Sequence, residues 1–151
     1  MSPEDKLQEM GIELPPPPQP AGSYTRAVRQ GGLVFVSGQL PLQGGELAYT
    51  GQVGAELGPE DGALAARLCA INALAVLKAE LGGLEAIGRI VRLGGYIASA
   101  PGFYGQATVL NGASDFLAAV LGESGIHARL AVGVAALPLN AAVELEVIAG
   151  V

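Results

Sequence analysis

Hydrophobic positions along the 151-residue chain recur at two different spacings, and the spacings divide it into helices and strands. Over residues 59–81, Leu64, Leu68, Ile71, Leu74 or Ala75, Leu77 and Leu81 return every three or four residues, which keeps them on one stripe of an α-helix. Gly82 and Gly83 end that run. Its alanines, among them Ala63, Ala66, Ala70 and Ala73, favour helix and permit close packing on a sheet. A second, shorter helix is predicted over residues 111–121, where Phe116, Leu117 and Val120 share a face, Gly122 stops the run and Asn111 is a candidate cap. Residues 3–10 predict a third, with Ser2 as cap, Pro3 in the first turn, and Glu4 and Asp5 at the positive end of the helix dipole.

Elsewhere the period is two or the run is uniformly apolar. Residues 24–29 and 33–37 read as strands joined across Gln30-Gly31-Gly32, a hairpin signal. The glycine-rich stretch 42–58 predicts a loop with one short edge strand. Residues 87–98 predict a buried strand with a bulge near Gly94-Gly95, broken by Pro101-Gly102. Near the end, Arg129, Ala131 and Gly133 alternate with Leu130, Val132 and Val134, the pattern of a strand with one buried face. After Leu137-Pro138-Leu139-Asn140, Val143, Leu145 and Val147 alternate with Glu144 and Glu146. A connection over residues 137–141 predicts a hairpin. With Ala136 and Ala142 flanking its turn, Arg129 would face Ala149, roughly 16 Å along the strand from Glu144, too far for a salt bridge.

This order predicts an α+β fold, one mixed sheet with the two longer helices on one face. The opposite sheet face also needs a cover. Half the residues are hydrophobic and 15% are charged, so a lone monomer would expose much apolar surface, and a homo-oligomer is the expected remedy. The length fits one domain preceded by a 21-residue extension, in which Pro15 to Pro18 and Pro20 form a stiff spacer. No uninterrupted apolar run reaches the roughly eighteen residues of a membrane span, and the charged, proline-rich start is unlike a signal peptide; the expectation is a soluble, cytoplasmic protein without a membrane partner.

Fourteen acidic against eight basic residues give a net charge of −6, which repels phosphate backbones and disfavours nucleic acid as a partner. One cysteine, Cys69, within a helical apolar pattern, reads as a buried structural thiol. One histidine, His127, excludes a multi-histidine metal site, and Cys69 lies far from it in sequence. No GxGxxG, GxxxxGK[ST] or GxSxG segment is present, so neither a nucleotide cradle nor a serine triad is indicated, and no metal or cofactor is expected. What remains is an arginine, Arg129, able to clamp a carboxylate, and a glutamate able to orient water, on the last two strands.

Three segments carry a resemblance: AGSYTRAV (residues 21–28), LVFVSGQLP (33–41) and HARLAVGVAALPLNAAVELEVIA (127–149). They are similar to the RidA (YjgF) family of reactive-intermediate deaminases, most specifically in R-x-x-V-x-V-x-x-L-P followed by V-E-[LI]-E, and the likeness covers residues 22–151. The resemblance implies a chorismate-mutase-like fold, a homotrimer with sheets inward and helices outward, and clefts between subunits. It implies that Arg129 holds the carboxylate of a 2-imino or 2-enamino acid and that Glu144 positions the hydrolytic water, giving a 2-keto acid and ammonia without a cofactor. Tyr24, Ser37, Gly38 and, more approximately, Asn111 match cleft-lining positions. The chain departs from the family pattern where Ala131 replaces a frequent cysteine and His127 a frequent proline. A non-catalytic trimer binding a small carboxylate, and an endoribonuclease, are the alternative readings.

Overall fold

In the computed structural model, which describes residues 1–151, three α-helices lie on one side of a five-stranded mixed sheet. The elements are α1 (Pro3–Glu9), β1 (Ala27–Gln30), β2 (Leu33–Gln39), β3 (Leu42–Gln43), β4 (Glu46–Leu47), α2 (Pro59–Leu81), β5 (Arg89–Ala98), α3 (Gln106–Leu121), β6 (Ala128–Val134) and β7 (Val143–Gly150). The main sheet has the order β1-β2-β7-β5-β6, and β3 and β4 form a small ladder of their own. The α+β class with a mixed sheet is as expected from the sequence.

Local chemistry explains the ends of the helices. Ser2 Oγ accepts from the Asp5 backbone N–H at 3.1 Å while the Asp5 carboxylate accepts from the Ser2 N–H at 3.0 Å, a capping box that starts α1. α2 begins with Pro59 after Gly58 and stops at Gly82, which takes the left-handed conformation at φ 85°. α3 starts five residues earlier than the sequence predicted, at Gln106. Its cap is Gly105, which has no side chain to offer, so the usual polar start signal is missing. Asn111 is therefore an interior helix residue and not a cap.

The strands also correct the sequence reading in several places, beginning with residues 42–58, where β3 and β4 pair with each other in place of one short edge strand. β1 is shorter than predicted, beginning at Ala27 and not at Tyr24. The bulge in β5 falls between Ile90 and Arg92, not at the glycines. Gly94 and Gly95 instead permit close approach: a Cβ on Gly94 would lie 2.5 Å from the Glu146 carboxylate, and one on Gly95 2.5 Å from the Leu110 methyls. Most consequentially, β6 and β7 are not a hairpin. β5 lies between them, parallel to β6 and antiparallel to β7, with Leu93 opposite both Arg129 and Val147. Side-chain alternation reports which residues share a face but not which strand is the neighbour, and a five-residue link fits a crossing over the end of β5 as well as a turn.

The core lies between the sheet and α2 with α3. Leu93, Ile97, Leu145 and Val147 from the strands meet Ala66, Cys69, Ala70, Leu74, Leu110 and Leu117 from the helices. Cys69 is fully buried, its thiol 3.6 Å from the Val143 carbonyl, and burial, with Glu144 adding to it, pushes the thiol well above its ordinary pKa. α2 is long and apolar enough to cross a membrane, yet most of it packs inside the domain. The other sheet face carries no helix. Val28, Phe35 and Leu130 stand there 52%, 42% and 46% exposed. In β6 the apolar set of Leu130 and Val132 thus occupies the open face, while Arg129 and Ala131 face the helices, the reverse of the burial expected from alternation.

The crossing of α2 and α3 depends on Gly112, where an added Cβ would sit 2.0 Å from the Ala63 carbonyl oxygen. Backbone cannot yield there as a side chain can. Gly112→Ala is expected to lose about 3 kcal/mol or more of stability in urea denaturation. Gly32→Ala, which would meet nothing within 4 Å, serves as the control and should change little.

Candidate active site

The six residues singled out from the sequence fall into two groups on opposite faces of the sheet. Tyr24, Ser37, Gly38 and Glu144 line one cavity of about 340 Å³. Asn111 and Arg129 line a separate, more open groove of about 270 Å³ with Ser114, Asp115 and His127. The register accounts for the division. Arg129 pairs with Leu93, whose neighbour is the buried Val147, so the arginine is on the helix side. Glu144 pairs with Tyr96 on the open side. Two strand spacings across and three positions along separate their backbones by roughly 14 Å.

The Glu144 cavity forms where β2 departs from regular pairing. Between Val36 and Gln39 the register with β7 shifts, and Ser37-Gly38 occupy the irregularity. Ser37 Oγ donates to the Thr25 carbonyl at 2.7 Å, tying the segment before β1 to β2. Gly38 gives Glu144 room: a Cβ there would be 2.5 Å from its Oε2. Pro18, Gln19, Pro20 and Ala21 supply one wall, and Tyr24 is held there as its phenolic oxygen accepts from the Ala21 N–H at 3.2 Å. The spacer predicted from the prolines is therefore also a wall of this cavity. Pro138 and Leu139 line it as well. Leu139 and Asn140 have φ of 58° and 62°, a left-handed pair of non-glycine residues that costs about 1–3 kcal/mol each.

Glu144 has no ion-pair partner; the two salt bridges are Arg26–Glu80 and Arg92–Glu146. Half-burial raises its pKa above the ordinary 4.5, and the nearby Glu146 charge adds to the rise. Glu146 is better satisfied, accepting from the Tyr96 hydroxyl at 2.8 Å and from Arg92 at 3.4 Å. The phenol of Tyr96 is in turn pushed up, chiefly by that hydrogen bond and then by its burial. The carboxylate left free to take a proton is Glu144.

Arg129 is anchored at two points on α3. Its Nη1 donates to Ser114 Oγ and its Nη2 to the Ala107 carbonyl, both at 3.0 Å. A guanidinium has five N–H donors, so three are unspent beside the groove. Asp115 lines the same groove without pairing to it. Asn111, one helical turn before Ser114 and Asp115, lines it too. Ser114 and His127 were not singled out as site residues from the sequence. Nothing local marks Ser114, which needed knowledge of how α3 lies on β6.

A Cβ at Gly38 would meet only the end of a flexible side chain, unlike the one at Gly112. Gly38→Ala should therefore cost about 1 kcal/mol, a thermal midpoint shift of a few degrees, while a crystal structure shows the Glu144 carboxylate turned to a new rotamer. An unmoved Glu144 would contradict this account of the cavity.

Comparison with known proteins places the whole chain among relatives. A family model described as "YjgF/chorismate_mutase-like, putative endoribonuclease" matches residues 4–151. Protein TCP17 of Trypanosoma cruzi is 45% identical over 141 residues, covering 93% of this chain and 88% of that protein. A crystal structure called a putative endoribonuclease, from Shewanella oneidensis MR-1, superposes with a TM-score of 0.98 at 34% identity over 100% of both chains. Escherichia coli TdcF, solved with bound serine, superposes with a TM-score of 0.66 at 28% identity, covering 89% of this chain and 92% of its own.

Proposed function

The chain belongs to the YjgF/chorismate mutase-like family, which includes solved structures named RidA and YjgF, and on that premise we propose that it hydrolyses small 2-imino or 2-enamino acids to 2-keto acids and ammonia. The observation that carries the reading is the pair of unspent groups: an arginine with three free donors at an open groove, and a half-buried glutamate with a raised pKa in a cavity. One chain holds them on opposite faces, so the proposed cleft is shared, Arg129 from one protomer and Glu144 from its neighbour. The exposed apolar residues of the open sheet face supply the association surface, and a homotrimer is the proposed assembly.

In this scheme the substrate carboxylate takes the free guanidinium N–H groups, which fixes the imine carbon relative to the other protomer's cavity. An enamine first takes a proton at carbon to become the iminium, the protonated form in which an imine substrate also reacts. Water then adds to C2 as Glu144 accepts its proton, forming a carbinolamine. Transfer of that proton to nitrogen makes an ammonium leaving group, and as the C–N bond breaks the hydroxyl gives its own proton to the once more ionised Glu144, so that C=O forms and ammonia leaves. Bound serine in TdcF supports a ligand of amino-acid size. An endoribonuclease has the family description in its favour, but a chain of net charge −6 has little to neutralise phosphates with.

Keto-acid formation from enzymatically generated iminopyruvate should be faster with the protein than without, and Arg129→Ala should remove the gain. Saturable keto-acid binding without turnover would replace the enzyme with a binding protein, and RNA cleavage lost in Arg129→Ala would restore the nuclease.

The pH dependence has a definite sign. Glu144 can accept a proton only when ionised, and its pKa is raised. The rate should therefore fall as the pH drops through a value above 4.5, higher than an ordinary glutamate would give. Glu144→Gln should be slow and lose that limb of the pH–rate profile.

A further inference from the structure

The grip on Arg129 extends beyond its immediate partners. His127 Nδ1 lies 2.6 Å from the Gly125 carbonyl oxygen, and His127 Nε2 lies 2.8 Å from Ser114 Oγ, the same hydroxyl oxygen that accepts from Arg129 at 3.0 Å. For a neutral imidazole each role follows from chemistry. A carbonyl only accepts, so Nδ1 carries the proton. In a neutral imidazole Nε2 is then a bare acceptor. The guanidinium only donates, so Ser114 presents it a lone pair and turns its single O–H toward Nε2. In the neutral state every donor in the row Arg129, Ser114, His127, Gly125 meets an acceptor, and the hydroxyl cannot rotate without losing a bond.

We infer that His127 and Ser114 are positioning residues for Arg129: the neutral, Nδ1-protonated imidazole locks the Ser114 hydroxyl, and the locked oxygen holds the guanidinium with its other donors facing the groove. The inference rests on the proposed role of Arg129 as carboxylate clamp, but the row itself does not. Its elements come from four places in the chain: Arg129 on β6, Ser114 on α3, His127 in the segment before β6, and Gly125 in the one-turn 3₁₀ helix (Gly122–Gly125) that follows α3. A guanidinium held at one Nη by a backbone carbonyl and at the other by a rotating hydroxyl would sample several orientations. With the hydroxyl fixed, its plane is set by two points, and less freedom is lost on binding an anion.

The single histidine makes the test direct. In protein labelled with 15N-histidine, the ring signals at neutral pH should show a protonated Nδ1 and an unprotonated Nε2; the opposite tautomer or an imidazolium overturns the row. Pyruvate binding by calorimetry then separates positioning from folding. Ser114→Ala and His127→Ala are expected to weaken it about tenfold with little change in thermal midpoint. His127→Gln, whose amide oxygen can accept the Ser114 hydroxyl, is expected to recover most of the affinity. A lowered midpoint with unchanged affinity, or a glutamine variant no better than alanine, would reduce the row to a structural contact. If the wild type binds no pyruvate, the clamp reading fails and the row stands or falls on Arg129 itself. Its guanidinium N–H signals should be slowed and resolved in the wild type and averaged in Ser114→Ala, and signals averaged in both would overturn the row.

Discussion

The insertion of β5 between β6 and β7 governs what this chain can do. Leu93 pairs on one side with Arg129 and on the other with Val147, so the arginine inherits the helix-facing side of the sheet. Tyr96, three positions on, carries Glu144 to the open side. No side-chain rearrangement within one protomer brings these two charges together, because a sheet lies between them. Each is consequently left with capacity to spare: three guanidinium donors at one groove, one unpaired carboxylate in one cavity. A register in which they met would have made an ordinary internal salt bridge and left neither free for a ligand. The topology that defeats the pair in one chain is what makes a site between chains worth proposing.

Glycine is the means by which both clefts and the core behind them are fitted to this backbone. Gly38 and Gly94 give the two carboxylates of β7 their places on the open face, since a methyl group at either would meet the carboxylate oxygens at 2.5 Å. Gly95 admits Leu110, and Gly112 lets α3 lie against the backbone of α2. These four need no unusual dihedral; what they supply is the absence of a side chain. Left-handed backbone in residues other than glycine falls on Leu139 and Asn140, beside the Glu144 cavity. That loop is held by the Gly51 N–H to the Asn140 carbonyl at 2.9 Å and by the Ala141 N–H to the Pro138 carbonyl at 3.1 Å, contacts that offset its strain.

Much of this was readable from the sequence, and the limits have physical causes. The helix over Pro59–Leu81 was legible to the residue because its stripe is long and both ends carry backbone signals. The alternation of Val143, Leu145 and Val147 with Glu144 and Glu146 was equally plain, since one side of β7 is packed against helices along its whole length. Alternation in β6 misled, because Leu130 and Val132 are apolar on the side that a single chain leaves open. Strand order was not legible at all, because period two is silent about neighbours. Of the site, the charged residues stood out by their rarity in an apolar chain. Ser114 did not, since a serine inside a helix looks like any other until the strand beneath it is placed.

Charge decides between kinds of ligand more sharply than shape does. A net charge of −6 on a small protein sets up a repulsive field, but at physiological ionic strength that field is screened over about 8 Å. A small carboxylate brings one charge into contact with one guanidinium and meets the rest of the surface only weakly. A polynucleotide presents a phosphate every few ångströms and must lay many of them along the acidic surface to reach the same groove, with few cations to release its counterions. Asp115, lining the Arg129 groove, sharpens the difference, since an extended anion would have to pass it while a compact one need not. On the proposed reading, a single local guanidinium, too little for a nucleic acid, suffices for an amino-acid-sized anion, provided it is held still.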